Sequence, residues 1–176
     1  MRSLVVTAPA KINLLLRILG KRRDGYHEIF TLFQRIGLAD RLFLKKRKSG
    51  FRLFTDQPSL AVDQSNLVFK AHRLLDKECG LRGGVEIFLK KNIPLAAGLG
   101  GGSSDAAAAL TGLNRLFRLG LTQEALIYLG RKLGADVPFF LLETSQAVGV
   151  GRGDWVRAFP KPASYSIFLL FFPQGL

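Results

Sequence analysis

The chain has 176 residues, 26 basic against 13 acidic for a net charge of +13, and 48% apolar side chains. That length supports one domain with a sizeable core, or one and part of another, while the charge draws polyanions, whether nucleic acid, nucleotides or phosphorylated metabolites. The lone Cys79 excludes an intrachain disulfide and suits a cytoplasmic protein, no secretory leader is legible, and the longest apolar run, residues 167–172, is too short to span a bilayer.

In chain order, strand-like runs fall at residues 4–7, 12–19, 41–46 and 51–55. The basic stretch Lys45-Lys46-Arg47-Lys48 reads as a solvated face. Ser65 is placed to cap a helix in which Leu67, Val68, Ala71, Leu74 and Leu75 share one face, and Gly80 ends it. Residues 85–90 form the clearest strand, with Val85, Ile87 and Leu89 alternating against Glu86, Phe88 and Lys90. A second helix turns Leu110, Leu113 and Phe117 inward, and four alanines at 106–109 keep its start slim. Thr122 caps a third, with Ala125, Leu126, Leu129 and Leu133 inside and Gly134 beyond its end. Residues 147–150 and 167–172 read as further strands. This order predicts an α+β sandwich rather than a doubly wound sheet.

Between the 85–90 strand and the second helix stands Pro94-Leu95-Ala96-Ala97-Gly98-Leu99-Gly100-Gly101-Gly102-Ser103-Ser104-Asp105. Glycines let a ligand approach the main chain closely, and successive amides at a helix start form a nest for an anion. A phosphate is the natural guest, and a β-branched residue at Gly101 should block its approach. A flexible Gly/Ser linker is the plain alternative, but patterned elements fix this stretch on both sides. No lysine follows the glycines, so it is not a Walker A loop. Ser103 occupies the place of the third glycine of a dinucleotide fingerprint, and a helix follows where a protein kinase would have a strand.

The pattern Pro-x-x-x-Gly-Leu-Gly with Gly, Ser and small residues behind it resembles the ATP-binding motif of the GHMP kinases, which include galactokinase and the homoserine and mevalonate kinases. Two further blocks strengthen the resemblance to the branch that acts on a cytidine-diphosphate methylerythritol. The first joins Ala8-Pro9-Ala10-Lys11-Ile12-Asn13-Leu14 with Asp24-Gly25-Tyr26-His27, and the second is Leu133-Gly134-Ala135-Asp136-Val137-Pro138-Phe139-Phe140. The resemblance implies a GHMP-kinase N-terminal domain, a ribosomal-protein-like sandwich, over residues 1–160. Residues 161–176 would begin a second, ferredoxin-like domain that is mostly missing.

The resemblance also assigns roles. Pro94, Leu95, Ala96, Ala97, Gly98, Leu99, Gly100, Gly101, Gly102, Ser103 and Ser104 would hold ATP, accompanied by Mg²⁺, with Asn66 and Lys91 near its adenosine. Lys11 would be the electrophilic cation beside the attacking hydroxyl and Asp136 the carboxylate that receives its proton. Tyr26 would stack on cytosine, His27 would read its edge, and Asn13 would lie near the methylerythritol alcohol. No resident metal ligand, nucleic acid or membrane partner is implied, and the assembly would be a monomer or homodimer. Local readings stand beside these: Lys11 as a surface lysine, Asp136 as a turn cap, Asn66 as a helix-start residue, Lys91 as a solvated flank, and Tyr26-His27 as an exposed turn. Two other functions fit parts of the sequence, a basic nucleic-acid-binding module and a nucleotide-binding remnant without turnover.

Overall fold

The computed structural model describes residues 3–160 and 166–170. Its spine is an antiparallel hairpin of two long strands, β1 (Ser3–Lys21) and β2 (His27–Arg47), paired from Ser3 opposite Lys45 to Lys21 opposite His27. Residues 4–7 and 12–19, read from sequence as two strands, are therefore one. Pro9 has no N–H to give, and the register slips between Pro9 and Lys11, between Asn13 and Leu15, and between Ile18 and Gly20. A strand paired along one edge tolerates both the proline and the bulges. Likewise the expected 41–46 strand is only the end of β2. Its upstream half lost its alternation because Thr31, Gln34 and Asp40 are polar yet buried.

The sheet runs β3-β4-β2-β5-β6, with β1 also on β2. Here β3 is Phe51–Thr55, β4 is Gly84–Lys90, β5 is Gln146–Gly151 and β6 is Trp155–Ala158. Only β3 and β4 pair in parallel, and the helix α1 (Leu67–Cys79) lies between them in the chain, as a parallel crossover requires. The helices α2 (Gly101–Phe117), α3 (Gln123–Leu133) and the short α4 (Val137–Leu141) separate β4 from β5. The expected α+β sandwich is what forms.

One core joins sheet and helices. Leu42, Leu44, Val85, Ile87 and Leu89 cluster with Val68, Ala71 and Leu75 of α1 and with Ala106, Leu110 and Leu113 of α2, all essentially inaccessible to water. Each large aliphatic side chain so buried contributes about 1.5–3 kcal/mol. The alternate residues Phe43, Phe54 and Phe88 are partly exposed, so the sheet is covered here on one face. The central helix lies close on the hairpin: a Cβ at Gly112 would sit 3.0 Å from a Leu44 methyl and 3.1 Å from Val6.

Smaller differences from the sequence reading have local causes. The cap of α1 is Asn66, not Ser65. Asn66 accepts a hydrogen bond from the Val68 amide at 2.8 Å, while Ser65 turns back to Asp63. Gly80 (φ +62°) and Thr122 end and begin their helices as expected. The one-turn α4 and the four-residue edge strand β6 are too short to show a period. Of the expected 167–172 strand, residues 167–170 have no regular structure and 171–172 lie outside the described residues, as does most of the 161–176 segment. Among the described residues no helix is long and apolar enough to cross a membrane.

Candidate active site

Where β1 passes the start of α2, the glycine-rich segment folds into a tight loop. Ala96, Gly98 and Gly100 take positive φ (56°, 71° and 69°), and Gly100 stands at the N-cap position of α2 with no side chain to cap it. The amides that open an α-helix have no acceptor within it, so those of the first turn of α2 are left for a partner. Residues 94–103 line a cavity of about 250 Å³ together with Leu67 and Lys91. Ser104 stands apart from the rest of the expected phosphate loop. Its hydroxyl is buried and lines a neighbouring cavity of about 310 Å³ that also touches Arg35 and Phe140.

The glycines are needed for different reasons. A Cβ at Gly101 would press on Ile93 (3.1 Å) and on the Lys91 ammonium (3.3 Å), beneath the loop. A side chain there would thus disturb the floor of the loop. A Cβ at Gly100 would meet Lys11 Cγ at 3.0 Å and the Phe140 ring at 3.1 Å. Only glycine lets the loop pass so close to Lys11, whose own amide donates to the Leu99 carbonyl at 2.9 Å.

Lys11 is not the surface lysine its local sequence suggests, being only 7% exposed. Its ammonium donates to Asn13 Oδ1 at 2.7 Å, lies 3.6 Å from Asp136 Oδ2 and sits 5.7 Å from the centre of the Phe33 ring. Asn13 in turn donates to Thr31 Oγ1 (2.7 Å), and Thr31 to the Leu15 carbonyl (2.8 Å). This chain orients the Asn13 amide so that its oxygen faces the cation. Asp136 stands at the N-cap position of α4 but makes no capping hydrogen bond, so its carboxylate is not spent on the turn. It stays about a third exposed beside Lys11, so the two can act on one hydroxyl.

Arg35, opposite Lys11 in the hairpin register, fastens α4 from its other end. Its Nη2 donates to the carbonyls of Phe139 (3.1 Å), Phe140 (2.9 Å) and Leu142, and Phe139 stacks on Phe33 at 4.8 Å. Burial holds the Arg35 guanidinium below its usual pKa. Nothing in the local sequence around Arg35 marked it.

The remaining expected residues lie elsewhere. Tyr26 and His27 are exposed at the far end of the β1–β2 hairpin, where Tyr26 closes the turn to Arg22 and lies beneath Arg152, 4.8 Å from its ring centre. Asn66 is buried with both halves of its amide engaged, by Val68 N and by the Ala61 carbonyl at 2.7 Å. Lys91 is no solvated flank. Its ammonium is buried between Asp40 and Asp105, at 2.8 Å from the latter. Burial pushes the Asp105 carboxyl up to about 7, Asp40 adds to the rise and Lys91 opposes it. For Lys91 burial works downward, and the two carboxylates outweigh it.

Residues 66–144 match the GHMP kinases N terminal domain. Over 88% of its length the chain is 50% identical to the 4-diphosphocytidyl-2-C-methyl-D-erythritol kinase of a Synechococcus species, covering 49% of that protein. Over 85% it is 51% identical to the protein of the same name from Pseudomonas syringae pv. tomato, covering 53% of it. The chain thus spans about half the length of the curated relatives it matches. A crystal structure of 4-(cytidine 5'-diphospho)-2C-methyl-D-erythritol kinase superposes with a TM-score of 0.76 at 43% identity, over 90% of this chain and 56% of the other. Homoserine kinase from Cytophaga hutchinsonii shares the fold at a TM-score of 0.69 and 22% identity, over 92% of this chain and 53% of that one.

Proposed function

We propose that the chain, whose residues 66–144 match the GHMP kinases N terminal domain, transfers the γ-phosphoryl group of ATP to the 2-hydroxyl of 4-(cytidine 5'-diphospho)-2-C-methyl-D-erythritol. This is a step of the methylerythritol phosphate route to isoprenoid precursors, run in the cytoplasm. The observation that carries the reading is the placement of Lys11. A single buried lysine touches the glycine loop through its backbone and the free carboxylate of Asp136 through its side chain.

Phosphoryl transfer passes through a loose, anionic transition state, so a kinase mainly positions groups and neutralises charge. The open amides at the start of α2 and the Ser103 hydroxyl hold the phosphates. Asp136 takes the proton as the substrate oxygen bonds to the γ-phosphorus and the bond to the β-phosphate oxygen breaks. Lys11 stabilises the developing negative charge on the attacking oxygen. Mg²⁺ in such sites keeps several waters and is bound largely through the phosphates themselves, and the Ser103 hydroxyl would join them in holding it. Tyr26 and His27, at the hairpin tip away from the glycine loop, receive the cytosine ring. ATP and the cytidine substrate therefore meet along the hairpin, with Lys11 between them.

Calorimetric titration tests this reading. MgATP and the cytidine substrate should each bind the protein, and neither should displace the other. Absence of nucleotide binding, with salt-sensitive binding of a long anionic polymer instead, would replace the kinase reading with the nucleic-acid one.

A further inference from the structure

Beneath the glycine loop lies a set of charges that the phosphoryl-transfer chemistry does not use. Asp40 of β2 is completely buried. Its Oδ1 accepts the amides of Asn92 (2.6 Å) and Ile93 (2.8 Å), and its Oδ2 pairs with the Lys91 ammonium. Those three consecutive residues, Lys91 to Ile93, join the end of β4 to the first residue of the loop, Pro94. The same bend is held by Asp56, which accepts the Lys91 amide at 2.9 Å, and by the Ala39 carbonyl, which accepts from the Asn92 side chain at 2.8 Å. Lys91 then reaches over to Asp105 in the second turn of α2.

We propose that Asp40 is a positioning residue of the nucleotide site: by clamping the Asn92 and Ile93 amides and steering Lys91 toward Asp105, it fixes the floor on which the phosphate loop rests. This deepens the kinase reading and rests on it for the identity of the nucleotide. The floor is in contact with the loop. Ile93 and the Lys91 ammonium are the atoms a Cβ at Gly101 would strike, and Ile93 packs with Leu99 and Ala10 in a small cluster separate from the main core. Leu99 in turn carries the carbonyl that receives the Lys11 amide. Movement at Asp40 therefore reaches both the phosphate cradle and the lysine beside the reacting hydroxyl. Buried polar groups that are fully satisfied rigidify what they hold, and each oxygen of Asp40 has a donor.

The test compares Asp40→Ala with Asp40→Asn. The alanine removes the clamp, whereas the asparagine keeps an Oδ1 acceptor for the two amides but gives up the charge and the acceptor that faces Lys91, so it isolates the amide clamp from the Lys91 pair. Without ligand, amide hydrogen exchange at Asn92, Ile93 and Lys11, whose amide donates to the Leu99 carbonyl of the loop, should quicken by about tenfold or more in Asp40→Ala and stay near wild type in Asp40→Asn, while α3 keeps its protection in both. MgATP affinity should fall by about tenfold or more in Asp40→Ala, be largely restored in Asp40→Asn, and cytidine diphosphate affinity should not change in either. Where Asp40→Ala does not fold, Asp40→Ser, with one acceptor left, is read in the same way. Unchanged exchange at the loop, equal loss in the alanine and asparagine variants, or parallel loss of both ligands would overturn the assignment. If wild type failed to bind MgATP, the kinase reading would fall, and the exchange comparison would still decide whether Asp40 holds the loop.

Discussion

Replacing Gly100 with alanine probes how closely the loop approaches the lysine. At φ +69° an alanine is left-handed, which costs about 1–2 kcal/mol. Its methyl would also sit 3.0 Å from Lys11 Cγ and 3.1 Å from the Phe140 ring, inside ordinary van der Waals separation. Lys11 is buried and held by Asn13, and Phe140 is tied through its carbonyl to Arg35, so neither yields freely. Overpacking of this kind adds about 1–3 kcal/mol. Gly98→Ala is the control, because φ there is +71° with nothing within 4 Å of the added methyl. Backbone strain and the entropy lost from the unfolded chain are shared by the two variants and cancel in the difference. Chemical denaturation should therefore place Gly100→Ala below Gly98→Ala by about 1–3 kcal/mol, with a matching gap of several degrees in melting temperature. Equal stabilities would refute the close contact, and with it the idea that glycine at 100 sets the distance between loop and Lys11.

Asp136→Asn should lower phosphoryl transfer by about a hundredfold or more, as expected for loss of a positioned base, while MgATP binding persists in calorimetry. Tyr26→Ala should forfeit about 1–3 kcal/mol of binding to the cytidine substrate and leave ATP untouched, so equal loss of both would make Tyr26 a structural residue. Asn66→Ala should cost about 1 kcal/mol of stability by removing the α1 cap. If its MgATP affinity fell as well, the amide would serve the nucleotide besides the helix. Asp105 sets a pH dependence: its folded pKa, raised to about 7, exceeds the unfolded value, so its contribution to stability is complete below about pH 4 and is lost as pH rises toward 7. Denaturation measured across that window should flatten in Asp105→Asn, and an unchanged slope would place the titration elsewhere.

Much of the fold was legible because its elements carry clean periods and caps. The alternation of Val85, Ile87 and Leu89, the Thr122 cap and the Gly80 stop all lie where residue chemistry puts them. The hairpin was harder to see, because Pro9 and three bulges break the pattern of β1 and buried polar residues mask that of β2. At the site, three sequence blocks brought forward Lys11, Asp136 and the loop, and the structure sets these side by side. Local pattern misjudged Lys91, since a lysine after a strand looks solvated until two carboxylates from distant segments close on it. Asp40 and Arg35 carried no signal at all. Their roles arise from pairings 51 to 107 residues apart, which no window of sequence contains.

The central assignment is tested most directly by a single-turnover experiment with the protein in molar excess over the cytidine substrate and ATP labelled in its γ-phosphate. Excess protein makes even one slow turnover visible. The geometry of Lys11, Asp136 and the loop predicts that label appears on the 2-hydroxyl of the cytidine substrate, and that Asp136→Asn suppresses it with both ligands still bound. Label passing only to water, or no transfer while both ligands occupy the wild-type protein, would contradict it.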